Sequence, residues 1–329
     1  EKAYPRPVAQ PPRLTRRVHN RARGALLGQA VGDALGTTVE FMDADEIAKA
    51  YPAGLTEIIG AGPFKLLPGQ ITDDTELALA LARSVAKHGA SANDQAHAYS
   101  RWFHSRPFDI GITTRTAFST PVEPPETLAA RMTARASQDS QSNGSLMRIS
   151  PLAIHLWRSE TSELVAQVTA DSRLSHPNPV CTAACVVFSY AIALAIREGL
   201  RGRTLHEATI RFARTEPSAA PVVATLVAAL TRRPPEYVKN MGWVQTALWN
   251  AFYRLGAESF EQGLVETVAC GGDTDTNAAI AGALLGASFG LDAIPPQWSG
   301  RVLTCQSPRP ADYHAFDLIS LADALSSKA

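Results

Sequence analysis

Two short segments concentrate carboxylates and hydroxyls just ahead of helix-forming sequence: Thr72-Asp73-Asp74-Thr75-Glu76 before Leu77, and Gly271-Gly272-Asp273-Thr274-Asp275-Thr276 before the helix through Ala279. An N-cap needs one side-chain oxygen, and acids in a first turn are favoured by the helix dipole. Either segment alone therefore reads as a helix start, with Asp73 and Glu76 suited to a capping box. Capping does not explain adjacent carboxylates in one segment and alternating carboxylates in the other, each flanked by threonine hydroxyls. Four aspartates brought together repel one another, and neither segment contains a lysine or arginine to neutralise them. Hard divalent cations would. Asp and Thr oxygens suit magnesium or manganese, and two such ions sharing a carboxylate can clamp hydroxyls and activate a water. The glycine pair before Asp273 lets a backbone approach a ligand closely.

Other polar residues stand out against apolar surroundings. Asp33 lies inside an apolar helix, where a buried charge needs hydrogen bonds or a metal; hydrogen bonding is the plainer expectation. Glu40 follows near the expected helix end and is a functional candidate. Asp109, in Pro107-Phe108-Asp109-Ile110-Gly111, puts a further carboxylate in a loop. The turn Ser142-Asn143-Gly144-Ser145 has backbone N–H groups suited to a phosphate, a weak signal by itself. Cys181 and Cys185 lie one helical turn apart near His176, but no fourth ligand follows at zinc-like spacing, so buried free thiols are expected.

The elements that must position these groups read as helices. Helical apolar spacing runs through residues 76–88, 93–104, 125–137, 180–198, 204–213, 219–231, 243–256, 258–269 and 277–290, alanine-rich and punctuated by proline and glycine. Strand-like alternation is scarce, and an all-α bundle follows. Gly24, Gly28, Gly32 and Gly36 recur every four residues, as do Gly282, Gly286 and Gly290, so each helix has a face without side chains. Tight packing accounts for such faces; a sharper expectation is that the two helices form a central hairpin-like core beneath a site.

At 329 residues and 45% hydrophobic, the chain supports a substantial core. Formal net charge is zero, so nothing global marks a nucleic-acid or membrane-surface binder. The distribution is uneven: residues 1–23 carry Lys2, Arg6, Arg13, Arg16, Arg17, Arg21 and Arg23 against Glu1 alone. With Pro5, Pro7, Pro11 and Pro12, residues 1–20 are expected to form an extended arm ahead of a single domain over 21–329. Ala278–Leu291 is taken as the longest apolar run, too short to span a membrane. With no hydrophobic signal core at the start and only four cysteines, a reduced, cytoplasmic protein is expected.

Taken together, these motifs resemble the ADP-ribosylglycohydrolase family, most closely its dinitrogenase-reductase-activating branch. The likeness rests on Gly28-Gln29-Ala30-Val31-Gly32-Asp33-Ala34-Leu35-Gly36 with Glu40, on Gly69-Gln70-Ile71-Thr72-Asp73-Asp74-Thr75, and on the Asp109 loop. Asn143-Gly144 through Met147-Arg148, Ser175-His176 and Gly271 through Thr276 complete it, from about Arg21 to Trp298. The resemblance implies a single-domain orthogonal helical bundle and a binuclear magnesium site. Thr72, Asp73 and Asp74 would hold one ion with Asp275, while Asp273, Asp275 and Thr276 hold the second. It also implies Asp109 as catalytic carboxylate, Glu40 near the metal, Asn143, Gly144 and Ser145 facing a pyrophosphate, and His176 on the adenosine side, with Gly271 and Gly272 beside the ligand. Ser142 and Ser145 stand where relatives often have glycine or alanine, and Ile112 replaces a polar residue. The activity implied is magnesium-dependent removal of ADP-ribose from a protein side chain, arginine before serine. Two rivals are a two-metal phosphohydrolase, and an immunity protein whose N-terminal arm also blocks an ADP-ribosyltransferase toxin.

Overall fold

The computed structural model describes residues 13–327. In chain order its helices are α1 (Arg13–Gly36), α2 (Ala44–Ala50), α3 (Asp73–His88), α4 (Ala92–His104), α5 (Ile112–Phe118), α6 (Leu128–Arg135), α7 (Ser150–His155) and α8 (Thr161–Arg173). They continue as α9 (Pro179–Glu198), α10 (Gly202–Thr215), α11 (Val223–Ala228), α12 (Val244–Arg254), α13 (Phe260–Val268), α14 (Thr274–Phe289), α15 (Pro296–Thr304) and α16 (Leu318–Ser327). Strands are absent among the described residues, where extended pairing is limited to isolated bridges such as Asp43 with Gly271. The chain is all-α, as its periodicity predicts. Local chemistry sets many of the ends: the Ser91 and Ser259 side chains cap α4 and α13, Asn178 caps α9 ahead of Pro179, and left-handed Gly199 stops α9.

The centre is the antiparallel pair α1 and α14, and glycine makes it possible. A Cβ on Gly24 would lie 2.4 Å from the Gly286 carbonyl oxygen, on Gly28 2.2 Å from that of Gly282, on Gly32 2.0 Å from that of Ala278, and on Gly36 2.3 Å from that of Thr274. The two backbones therefore touch along four successive turns. The consequence for the site is directional: the C-terminal end of α1, carrying Asp33 and leading to Glu40, lies beside the N-terminal end of α14, where Asp273 and Asp275 sit. α14 is buried along nearly its whole length, as the central helix of a bundle must be.

Two sequence expectations are corrected. α1 begins at Arg13, so residues 13–20 are helical rather than part of an extended arm; the prolines end at Pro12, and nothing after it opposes a helix. Of the basic residues at 1–23, Arg17 in the predicted arm and Arg21 and Arg23 just after it serve the fold instead. Arg17 donates to the Arg197 carbonyl, Arg21 to the carbonyls of Ala287, Ser288, Gly199 and Leu200, and Arg23 makes a two-pronged pair with Asp323. The rest of the predicted arm, residues 1–12, lies outside the described residues. Apolar length is the second: among the described residues α9, not Ala278–Leu291, is the helix long and apolar enough to cross a membrane, and it is mostly buried inside the bundle. A core helix has that composition for the same reason a membrane helix does, apolar surroundings on every side.

Candidate active site

The first turn of α3 is held from α1. Thr72 is the N-cap, and its hydroxyl accepts from the Asp74 amide and donates to Asp74 Oδ2 at 3.1 Å. Fully buried Asp33 accepts the Thr72 amide at 3.0 Å and the Thr75 amide at 3.1 Å, so it satisfies two otherwise orphaned donors of a neighbouring helix. Burial raises its pKa to about 6 despite these bonds. The capping box expected from Asp73 and Glu76 does not form. Asp73 is the first helical residue, and the Glu76 carboxylate turns away to Trp102 Nε1 at 2.8 Å and to Arg309.

At the start of α14 the glycine pair has a different use from the one its sequence suggests. Gly271 and Gly272 have φ of +78° and +79°, and a Cβ on Gly272 would lie 2.0 Å from the Tyr237 carbonyl oxygen. The backbone they admit is the protein's own. Phe41 donates to the Gly272 carbonyl at 2.9 Å and Gly272 donates to that of Met42 at 2.8 Å, which draws Glu40 against the α14 terminus. Carboxylate oxygens of Glu40, Asp273 and Asp275 then lie within 4.8 Å of one another. Asp273 occupies the N-cap position of α14 without making a cap hydrogen bond; its Oδ2 accepts instead from Asn143 Nδ2 at 2.7 Å. The carboxylate surplus inferred from sequence is therefore real at this position.

A cleft of about 390 Å³ collects these groups. Glu40, Asp73, Asp74, Asp109, Asp273, Asp275 and Thr276 line it together with Asn143, Gly144 and Thr113. Glu40 is pushed up to about 9 by burial and by the charges of Asp273, Asp109, Asp73 and Asp33. Burial, with Asp109 and Asp33 for Asp73, with Asp73, Asp33 and Asp273 for Asp74, and with Glu40, Asp74 and Asp273 for Asp275, holds each of these three well above the usual carboxylate range. Asp109 is raised mainly by its half-buried position, which its bond from the Ile110 amide opposes. Such a cluster needs either bound protons or a cation. Glu40 Oε2 and Asp74 Oδ1 are buried without hydrogen-bond partners. An all-oxygen donor set with unused lone pairs is what a hard divalent cation takes, so the residues fit that group.

The loop at 142–145 is divided between surface and support. Asn143 and Gly144 line the cleft, whereas Ser145 is fully buried and bonded to Ser172 at 2.9 Å. His176 also departs from its expected position: it is fully buried, with Nδ1 against Ser175 Oγ at 2.7 Å and Nε2 against Ser142 Oγ at 2.9 Å. A Cβ on Gly144 would meet the His176 ring at 2.7 Å, so His176 supports the loop from beneath. Thr72, Gly271 and Gly272 likewise stand behind the lining. Cys181 donates to the Ser140 and Ser142 carbonyls and Cys185 to Ser145, with burial pushing the thiols up to about 12 and 11. These thiols brace the same loop.

Sequence reasoning missed how that loop is anchored. Arg148, fully buried, donates to the Gly144 carbonyl, to Ser175 Oγ and to Asp171, while Tyr99 donates to Asp171 at 2.7 Å. The Arg148 guanidinium also stacks over the Tyr99 and Phe118 rings. A buried Arg in an apolar run signals a partner, but Asp171 is 23 residues away and has no pattern of its own.

Residues 14–328 match the sequence model of the family described as ADP-ribosylglycohydrolase, a span wider at both ends than the Arg21–Trp298 likeness of motifs. The ADP-ribosyl-[dinitrogen reductase] glycohydrolase of Rhodospirillum rubrum is 36% identical over 295 residues, covering 87% of this chain and 91% of that protein. The ADP-ribosylarginine hydrolase Tri1 of Pseudomonas putida is 29% identical over 322 residues, covering 94% and 81% respectively. Among solved structures, an ADP-ribosylglycohydrolase-related protein complex superposes with a TM-score of 0.76 at 28% identity, over 95% of this chain and 99% of that one. An all-helical bundle that folds its acids into one cleft, matched over nearly its whole length, belongs to the ADP-ribosylglycohydrolase family of enzymes.

Proposed function

We propose that this chain hydrolyses the N-glycosidic bond between ADP-ribose and a protein arginine, using two divalent cations, magnesium first and manganese as a substitute. The observation that carries the proposal is the buried carboxylate cluster opening into a single cleft. Asp73, Asp74 and Asp275 would hold one cation, with the Thr72 hydroxyl fixing Asp74 from behind, and Asp273, Asp275 and Thr276 the other; the nearness of Glu40 to Asp273 and Asp275 offers the second a further oxygen. When bound, the cations supply charge neutralisation and Lewis acidity toward the ribose hydroxyls and water.

The chain's own groups do the rest. Asn143 fixes the Asp273 carboxylate, and Gly144 beside it lines the cleft with no side chain to exclude a phosphate-sized group. Asp109 takes a proton from the attacking water as the C1″–N bond breaks; the electron pair stays on the guanidine nitrogen, and Asp109 passes the proton on to it. Water is thus added across the bond, giving free ADP-ribose and arginine. The name of the Pseudomonas putida relative favours arginine as the linkage. The target is an ADP-ribosylated protein; a transferase toxin as second partner depends on residues 1–12.

A panel of arginine-, serine- and nucleic-acid-linked ADP-ribose, with and without magnesium, tests this. Free ADP-ribose from the arginine conjugate alone, and only with the metal, is the expected result. Release of AMP or orthophosphate would instead identify a two-metal phosphohydrolase.

A further inference from the structure

Glu76 ends the acidic segment before α3, yet it does not line the cleft. Its carboxylate is 1% exposed and accepts from Trp102 Nε1, from Arg309 Nε at 2.8 Å and from Arg309 Nη2 at 2.9 Å. Arg309 belongs to the segment between α15 and α16, 233 residues away in sequence. Its remaining N–H groups donate to the Ser105 carbonyl at 2.9 Å, the Arg106 carbonyl at 3.1 Å and Ser105 Oγ at 2.7 Å. A guanidinium has five N–H donors, and all of them are engaged here. Ser105 closes α4, and Arg106 has a φ of +57°, a left-handed turn that a non-glycine residue keeps only when its surroundings hold it. Asp109 follows three residues later.

We propose that Arg309 is a positioning residue for the reaction: its guanidinium clamps the α4–α5 connection, and with it the Asp109 carboxylate, to the first turn of α3. The inference rests on Asp109 acting as the proton acceptor. It also predicts an asymmetry between the two halves of the site. The α3 terminus has a second anchor in Asp33, which accepts its Thr72 and Thr75 amides, so Asp73 and Asp74 keep their place without Arg309. The Asp109 loop is held more lightly, by the Phe64–Phe108 ring contact at 5.5 Å and the local bond from the Ile110 amide.

The test compares Arg309→Lys, Arg309→Met and Asp109→Asn in the full chain, below the melting temperature of each, on ADP-ribosyl-arginine. Three readouts are kcat, manganese affinity by calorimetry, and amide hydrogen exchange at residues 107–111 against residues 72–76. Arg309→Met should lower kcat about tenfold or more, since small misplacements of a reacting group cost that much. Manganese affinity should stay near wild type, and exchange should rise at 107–111 but not at 72–76. Lysine keeps the charge but cannot fork to the Ser105 and Arg106 carbonyls, so Arg309→Lys should show the same pattern more weakly. That variant decides the question if the methionine variant does not fold. Wild-type kcat in folded Arg309 variants, or kcat and manganese affinity falling together, would overturn the clamp. Full activity in Asp109→Asn would overturn the Asp109 reading beneath it, whereas loss there with intact Arg309 variants would sink the clamp alone.

Discussion

Asp275 is fully involved in repulsion: it is buried, and Glu40, Asp74 and Asp273 all act to keep it protonated. Asn is its neutral isostere. Asp275→Asn should therefore abolish magnesium binding and turnover while leaving the metal-free melting temperature equal to or above wild type, because a source of like-charge strain is gone. Calorimetric titration with magnesium and melting in EDTA measure the two halves, and undiminished binding with full turnover would remove this residue from the metal site. A second expectation concerns pH. Asp33 and Glu40 titrate at about 6 and about 9 in the fold, both above their ordinary values. A raised folded-state pKa contributes stability that is present below the unfolded value and lost as pH rises through the folded one. Metal-free protein should thus melt progressively lower from about pH 4 upward, Asp33 ceasing to contribute near pH 6 and Glu40 near pH 9, and the increment given by magnesium should grow over that range, since the cation takes over from the protons. An increment that is flat with pH would contradict this. These acids were legible as a surplus over capping need. What was not legible is how the site is held: Asn143 on Asp273, and Arg148 on Asp171 beneath the 142–145 loop, are partners 130 and 23 residues apart, and no spacing rule reports such pairs.

At the scale of elements, glycine spacing was the most informative feature. Four-residue repeats in two helices pointed to backbone contact, and α1 and α14 make it, with a Cβ on Gly32 falling 2.0 Å from the Ala278 carbonyl oxygen. Gly32→Ala should force the helices apart at the turn that carries Asp33, costing about 1–3 kcal/mol by overpacking. Activity should fall further than stability, because Asp33 fixes the α3 amides while α14 carries Asp273 and Asp275. Gly300→Ala is the control: no atom lies within 4 Å of the added methyl, so α15 should gain slightly from the better helix former. Differential scanning calorimetry on the two variants checks the pair, and equal behaviour would mean the close approach is dispensable. Most of the long helices were readable from periodicity, but α8, 13 residues long, and α16 were not, nor were short ones such as α2, α5 and α7. Six or seven residues hold too few turns for a helical repeat to stand out, and their ends depend on neighbours distant in sequence.

For the whole molecule, the N-terminal boundary is where sequence and structure part most clearly, and it changes what a truncation should do. Proline and arginine content suggested a detachable arm through residue 20, but α1 already runs from Arg13, and its early residues are tied to the body. Val18 is 3% exposed, His19 contacts Asp323 at 3.1 Å, and Arg17 donates to the Arg197 carbonyl. Removing residues 1–20 should therefore lower the melting temperature by several degrees, on the order of what losing one buried aliphatic side chain and its neighbouring bonds costs. Removing only residues 1–12 should leave both melting and hydrolysis of an ADP-ribosylated peptide unchanged, since every residue lining the cleft lies well beyond them. The second truncation is also the clean probe of a transferase partner. Arg17, Arg21 and Arg23 are occupied within the fold, so charge-led docking by the arm would depend on Lys2 and Arg6, with exposed Arg16 beside them. Binding of full-length and shortened chains to a cognate transferase at two salt concentrations gives the answer. Weaker, less salt-sensitive binding after loss of 1–12 supports a docking role, equal affinity removes it, and a loss of peptide hydrolysis would show that these residues reach the cleft.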